Sequence, residues 1–160
     1  MGYIILGMVI LIADIMTKLI AELNLQGVNT IPIWQNVFHF TYVENRGIAF
    51  GMFENARLLF IAVTIIILVI LSFLYTKTEF RTKWLKIGTS LIYGGALGNL
   101  LERIAKGYVV DFIDFRIINF PVFNVADIAV CVGAAMLVIH FFISEKREMQ
   151  SDKKEDESNA

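Results

Sequence analysis

Four apolar runs, each close to the length needed to cross a lipid bilayer, constrain the fold of this chain more than any other feature. They cover residues 3–21, 58–75, 84–104 and 123–143. About 20 apolar helical residues span the ~30 Å hydrocarbon core of a membrane, and hydrophobic residues make up 57% of the chain. The sequence therefore predicts a mainly α integral membrane protein, with four transmembrane helices in a single domain over residues 1–144.

The distribution of basic residues predicts the orientation of these helices. Short cytoplasmic segments carry an excess of lysine and arginine. The link over residues 76–86 and the start of the tail after residue 144 have this character, through Lys77, Arg81, Lys83, Lys86, Lys146 and Arg147. We expect both termini on the cytoplasmic side. Residues 145–160 are polar and mixed in charge, which predicts a disordered cytoplasmic tail.

The two outward-facing connections have patterns of their own. Residues 31–52 mix β-branched and aromatic side chains with the turn-like sequence at 45–47, which predicts strands joined by a turn and a small extracytoplasmic β-sheet. Residues 105–122 interleave apolar and charged side chains. That pattern predicts an amphipathic segment lying along the membrane interface.

Polar residues inside the apolar runs fall at one depth under this topology. An aspartate at the centre of a membrane helix costs roughly 2.5–3.5 kcal/mol, and such residues usually mark functional sites. One shared site in the outer half of the membrane would explain them all, together with an aspartate in the last outer connection. The residues are Asp14, Lys18, Asn99, Arg103, Asn124, Asp127 and Asp111.

Several of these residues also have simpler interpretations. Asp14 and Lys18 are four residues apart and can form an ordinary pair on one helix. Arg103 can anchor its helix at the interface. The glycines of 94–98 favour close packing of helices. Cys131 is the only cysteine, which excludes an internal disulfide, and we expect it to be buried.

Asp111 and Asp127 are harder to explain structurally, because two carboxylates cannot neutralise each other. Two nearby acids in a poorly solvated site separate their apparent pKa values, so that one is protonated while the other is ionised. This is the arrangement of aspartic proteases, in which the pair activates a water molecule. The single cysteine and the two histidines, His39 and His140, provide no cluster of metal ligands around either aspartate, so we expect no metal and no cofactor.

Five stretches of the chain resemble one family. They are DIMTK from Asp14, NRGIAFG from Asn45, GGALGNLLER from Gly94, VVDF from Val109 and FPVFNVAD from Phe120. In this order they resemble the bacterial lipoprotein signal peptidase family, also called signal peptidase II, over residues 10–135.

The resemblance implies an intramembrane aspartyl endopeptidase of the bacterial cytoplasmic (inner) membrane, with an outer sheet, an interfacial helix and an active site toward the extracytoplasmic face. It implies cleavage of diacylglyceryl-modified prolipoproteins on the N-terminal side of the lipidated cysteine. Membrane lipids and inhibitors such as the cyclic peptide globomycin are further implied partners, and nucleic acid is not. The implied residues are Asp111 and Asp127 as the catalytic pair, Asn124 and Asn99 as positioning groups, Asn45, Gly47 and Arg103 in the pocket, and Asp14 and Lys18 in support.

The sequence departs from the family pattern at three places and leaves two other functional classes open. Glu102 replaces a usual aspartate, Ile48 a usual alanine and Ile128 a common serine. The glycines of residues 45–51 suggest that this segment gates the site. A proton-coupled transporter is the first alternative, although transporter sites usually lie near the membrane midplane. A non-catalytic assembly or sensor protein is the second.

Overall fold

A computed structural model describes residues 2–47, 57–78, 81–118 and 120–158 of the chain. The fold is mainly helical with one small sheet, as predicted. In chain order its elements are α1 (Gly2–Leu25), β1 (Thr30–Trp34), β2 (Phe38–Asn45), α2 (Arg57–Lys77), α3 (Lys83–Ala105), β3 (Val109–Phe115) and α4 (Val125–Ser158).

Among the described residues, three helical segments are long and apolar enough to cross a membrane: α1, α2 and Val125–Arg147 of α4. The four predicted spans are thus confirmed as helices, and three of them as candidate spans. Helix α3 is less apolar because it packs against all three other helices. A helix surrounded by protein can carry glycine and charged residues that a lipid-facing helix cannot.

Glycines bring α3 close to its neighbours. A β-carbon on Gly94 would lie 2.6 Å from the carbonyl oxygen of Gly7 in α1, and one on Gly95 would lie 2.5 Å from that of Ala126 in α4. Real β-carbons do not approach so closely. The predicted close-packing role of these glycines is confirmed, and it sets α1 and the first turn of α4 against α3.

The three strands form an antiparallel sheet in the order β1-β2-β3. The predicted strands are confirmed, but the turn between them is at residues 35–37 and not at 45–47. Asn36 takes φ 60° there, a left-handed conformation that asparagine tolerates. Asn45 instead ends β2, and residues 48–52 lie outside the described residues.

Strand β3 occupies the segment in which the sequence predicts an interfacial helix. The valines, isoleucine and phenylalanines of β3 favour a strand. The strand pairs with β2, for example Val43 with Asp111 and Asn45 with Val109. An interfacial helix is therefore not confirmed for residues 105–122, and pairing with β2 accounts for the difference.

The polar tail also differs from expectation. Helix α4 continues through residues 145–158, where the sequence predicts disorder. That stretch has no glycine or proline and is rich in glutamate and lysine, which are good helix formers, and it extends a helix that is already nucleated. Cys131, expected to be buried, is exposed on α4.

Candidate active site

Asp111 lies in the middle of β3 with only 2% of its surface exposed. Its Oδ2 accepts a hydrogen bond of 2.8 Å from Nδ2 of Asn45, and its Oδ1 accepts one of 2.6 Å from Nδ2 of Asn124. The register of β2 shifts between Phe40 and Val43, which lies opposite Asp111. Such bulges re-aim side chains next to functional sites.

Asp127 lies in the first turn of α4, where it completes a reciprocal cap. Its Oδ2 accepts the backbone N–H of Asn124 at 3.1 Å, and its own N–H donates to Oδ1 of Asn124 at 3.0 Å. Two of the unpaired amides at the helix start are satisfied in this way. The positive end of the helix dipole also favours a negative charge at this position.

The segment before α4 is fastened to β3, and this brings the two aspartates together. Phe123 forms a bridge with Ile113, in which the N–H of Ile113 donates to the carbonyl of Phe123 at 2.8 Å and the reverse bond is 3.1 Å. Asn124 follows directly and reaches Asp111 with its amide group. The aspartates are 16 positions apart in sequence, yet both hydrogen-bond to Asn124.

The orientation of the Asn124 amide follows from this bonding. A backbone N–H can only donate, so the group that accepts from Asp127 must be the Asn124 oxygen. The Asn124 nitrogen then faces Asp111 and also lies 3.3 Å from Oδ1 of Asn99. One buried asparagine therefore links both carboxylates in a defined geometry.

Asn99 holds the other oxygen of Asp127. Its Nδ2 donates to Oδ1 of Asp127 at 2.8 Å, while its Oδ1 accepts from Nζ of Lys18 at 2.6 Å. Because a lysine ammonium only donates, Lys18 keeps the Asn99 oxygen toward itself and the Asn99 nitrogen toward Asp127.

Lys18 is held in turn by two carboxylates. Its Nζ lies 2.7 Å from Asp14 and 3.3 Å from Glu102, and its exposed fraction is 1%. Asp14 is fully buried and accepts the N–H of Ala126 at 2.8 Å, which ties α1 to the start of α4. The predicted intrahelical pair of Asp14 and Lys18 is present, and it also belongs to the larger network.

Glu102 is a further member of this network, and the sequence did not predict it as a site residue. It accepts the backbone N–H of Val110 at 2.9 Å and pairs with Lys106 at 3.0 Å, besides its contact with Lys18. It thereby joins α3 to the strand that carries Asp111. The spacing of Glu102 and Lys106, four residues apart on a helix, is the one sequence signal for such a pair.

The remaining expected residues lie at the margin of the network. The N–H of Gly47 donates to Oδ1 of Asn45 at 3.0 Å. The Arg103 guanidinium lies 5.3 Å from the centre of the Phe60 ring, and among the described residues it makes no hydrogen bond to Asp111 or Asp127. Ile128 is 44% exposed on α4. Ile48 and most of the expected gating segment lie outside the described residues.

The electrostatic environment of Asp111 favours a bound proton. Burial raises the pKa of Asp111, and the negative charge of Asp127 raises it further, to about 7, against the opposing effect of hydrogen bonds from Asn45 and Asn124. Asp111 can therefore carry a proton near neutral pH. Asp127 is half-buried beside it, at a helix start that favours a negative charge. This pair can act as acid and base at once.

Several known proteins with similar sequences are lipoprotein signal peptidases. Residues 6–143 match the family described as signal peptidase (SPase) II. The lipoprotein signal peptidase of Halothermothrix orenii is 47% identical over 146 residues, which cover 91% of this chain and 98% of that protein. That of Clostridioides difficile is 44% identical over 149 residues, 92% of this chain and 100% of that protein.

A solved structure supports the same relationship. A bacterial membrane enzyme determined by the in meso method at 2.3 Å resolution superposes with a TM-score of 0.81 at 29% identity, covering 91% of this chain and 90% of that one. The transporter alternative finds no support in these matches. The chain belongs to the signal peptidase II family, and it is a multi-pass membrane peptidase that acts on prolipoproteins.

Proposed function

We propose that this member of the signal peptidase II family uses Asp111 and Asp127 as its catalytic pair. The reaction is hydrolysis of the peptide bond on the N-terminal side of the diacylglyceryl-modified cysteine in a prolipoprotein. The observation that carries the proposal is that Asn124 hydrogen-bonds to both aspartates, at 2.6 Å to Asp111 and at 3.0 and 3.1 Å to Asp127.

The two aspartates have different roles in this mechanism. Asp127 is the base, because Asp111 holds the proton of the pair. It takes a proton from a water molecule whose oxygen attacks the carbonyl carbon of the scissile bond. Asp111 carries the second proton and donates it toward the developing oxyanion. The carbon–nitrogen bond of the tetrahedral intermediate then breaks as the amine leaving group receives a proton from the pair.

The surrounding residues keep this pair in position. Asn99 and Asn124 orient the carboxylates, and Lys18 fixes the orientation of Asn99 with the help of Asp14. For Asn45, Gly47 and Arg103 we propose a place in the substrate pocket. Arg103 lies on α3, one helical turn after Asn99, and its guanidinium lies over the ring of Phe60 in α2. This position near Asn99 supports the proposal for Arg103.

The membrane arrangement follows from the same site. We propose that α3 is the fourth span, that both termini are cytoplasmic and that the sheet and the aspartate pair face the extracytoplasmic side of the bacterial inner membrane. The basic link at 76–86 supports this orientation. A signal peptide and its acyl chains already lie in the bilayer, so a site at this depth can bind them there. Globomycin-type cyclic peptides are expected to compete for it.

Separate Asp111→Asn and Asp127→Asn variants test the proposal. Each should lower the turnover of a lipid-modified precursor by about a thousandfold in a purified system, because acid–base catalysis contributes about 10²–10⁴-fold. Asp114→Asn is the matched control. Asp114 lies in the same strand and is buried, but its partners are Thr41 and Arg116. Turnover near the wild-type value in either dyad variant would refute the aspartyl mechanism.

A further inference from the structure

An apolar groove lies at the end of the helix bundle opposite the aspartate pair. Helices α1 and α2 both pack on α3, and between them is a cavity of about 510 Å³, lined among others by Met8, Leu11, Tyr75, Lys86, Thr89 and Leu97. This volume is in the range of small-molecule sites. The groove does not include any residue of the aspartate network.

The length of the groove matches one leaflet of a bilayer. Along α3 it extends from Lys86 to Leu97, a rise of about 16 Å at ~1.5 Å per residue. Half of the hydrocarbon core is about 15 Å thick. An acyl chain from one leaflet would fill this length, whereas a peptide helix crossing the membrane would extend beyond it.

Charge at the mouth of the groove points to an anionic occupant. Nζ of Lys86 lies 5.6 Å from the ring centre of Tyr3, and it has no carboxylate partner among the described residues. The link at 76–86 contains four basic residues and one acidic residue, Glu79, which lies outside the described residues. Lys86 also lies in the first turn of α3, at the positive end of the helix dipole, where an anion is favoured.

One residue of the groove lining has a polar atom without a protein partner. Oγ1 of Thr89 is buried and has no hydrogen-bond partner among the described residues. An unpaired buried hydroxyl is unfavourable. Thr89 is three residues further along the groove than Lys86, about 4.5 Å along the helix. A rotation of its side chain would present the hydroxyl at the depth where the ester groups of a lipid follow its phosphate.

We propose that this groove binds an anionic glycerophospholipid, with the phosphate at Lys86 and one acyl chain between α1 and α2. Basic pockets between membrane helices bind anionic headgroups in this way. The n-region of a signal peptide is positively charged, so the basic mouth disfavours that occupant. Under the proposed topology the lipid comes from the cytoplasmic leaflet.

Lipid retention by the purified full-length protein tests the proposal. Phosphatidylglycerol and phosphatidylcholine with identical chains are added to the protein in detergent, and bound lipid is counted by native mass spectrometry. Phosphatidylglycerol should bind about fivefold more tightly, as expected for one basic contact. Lys86→Gln should remove this preference. Lys83→Gln is the matched control, because Lys83 lies over Trp84 and outside the groove lining, and it should keep the preference.

A variant that fills the groove distinguishes lipid bound there from lipid in general contact with the protein surface. Met8→Trp should lower the retention of both lipids, while its melting temperature shows that the variant is folded. Four results would overturn the proposal: equal binding of the two lipids, equal effects of Lys86→Gln and Lys83→Gln, unchanged retention in Met8→Trp, or displacement of phosphatidylglycerol by an equimolar apolar signal-peptide segment.

Discussion

The two ends of the helix bundle bury polar groups in opposite ways. At the sheet end, Lys18 contacts Asp14, Glu102 and Asn99 at 2.6–3.3 Å and is almost fully buried. At the other end, Lys86 and the hydroxyl of Thr89 lack such partners among the described residues. Buried polar groups are satisfied by hydrogen bonds. The network around Lys18 therefore pairs its own charged groups, while the groove end is suited to a partner from the bilayer.

Removing one lysine from each end should give the largest difference in the free energy of unfolding. Lys18→Met leaves Asp14 buried without its cation, while Glu102 keeps Lys106. Breaking a buried pair costs about 3–5 kcal/mol. Lys86→Met breaks no ion pair among the described residues and should cost less than about 1 kcal/mol. Unfolding free energies measured in the same detergent would check this. Similar costs for the two variants would contradict the comparison.

Alanine substitutions of one glycine at each end should give a smaller difference in the free energy of unfolding. A β-carbon on Gly98 would lie within contact distance of the buried Asp14 carboxylate, whereas one on Gly2 would meet nothing within 4 Å. Overpacking costs about 1–3 kcal/mol, so Gly98→Ala should lose that much stability and also reduce cleavage. Gly2→Ala should change neither by more than the experimental error. Unfolding and cleavage assays on both variants test the prediction, and a neutral Gly98→Ala would show that Asp14 can move.

Proton binding at Asp111 predicts a pH dependence of cleavage that substitutions at the sheet end should change and substitutions at the groove end should not. Its pKa of about 7 means that the proton is bound below this pH and lost above it. Cleavage should therefore fall with rising pH above about 7, by about tenfold per unit for one proton. Asn45→Ala removes a donor that stabilises the ionised carboxylate, so the decline should move to higher pH. Turnover profiles of wild type, Asn45→Ala and Lys86→Gln would test this, and only Asn45→Ala should move the profile.

Thr89→Val should have the smallest effect. Its hydroxyl has no partner among the described residues, and the two side chains have nearly the same shape. In lipid-free detergent the free energy of unfolding should stay the same or rise by up to about 1 kcal/mol, since an unpaired buried polar group is removed. A loss of more than 1 kcal/mol would indicate that Thr89 contributes to the protein's own packing.

The sequence predicted much of the site because membrane burial makes polar residues conspicuous. Asp14, Lys18, Asn99, Asn124 and Asp127 each interrupt or border an apolar run, and the structure joins them in one network. Glu102 was harder to place, because its three partners come from α1, from β3 and from Lys106, directly after α3. Strand β3 was missed since an isolated amphipathic stretch has similar composition as a strand or as an interfacial helix, and only the partner strand decides.

The sequence alone determined the positions of the helices, the glycines at which helices pack closely and the acidic residues of the site. These are local properties, because the length of an apolar run sets a helix in a bilayer and a glycine permits close approach. The tertiary structure decided how Asp111 meets Asp127. That contact requires β3 to pair with β2, Phe123 to bridge to β3 and Asn124 to cap α4. It also decided which lysine is buried and which lies at a groove. These outcomes depend on contacts between distant segments, whose geometry no local pattern contains.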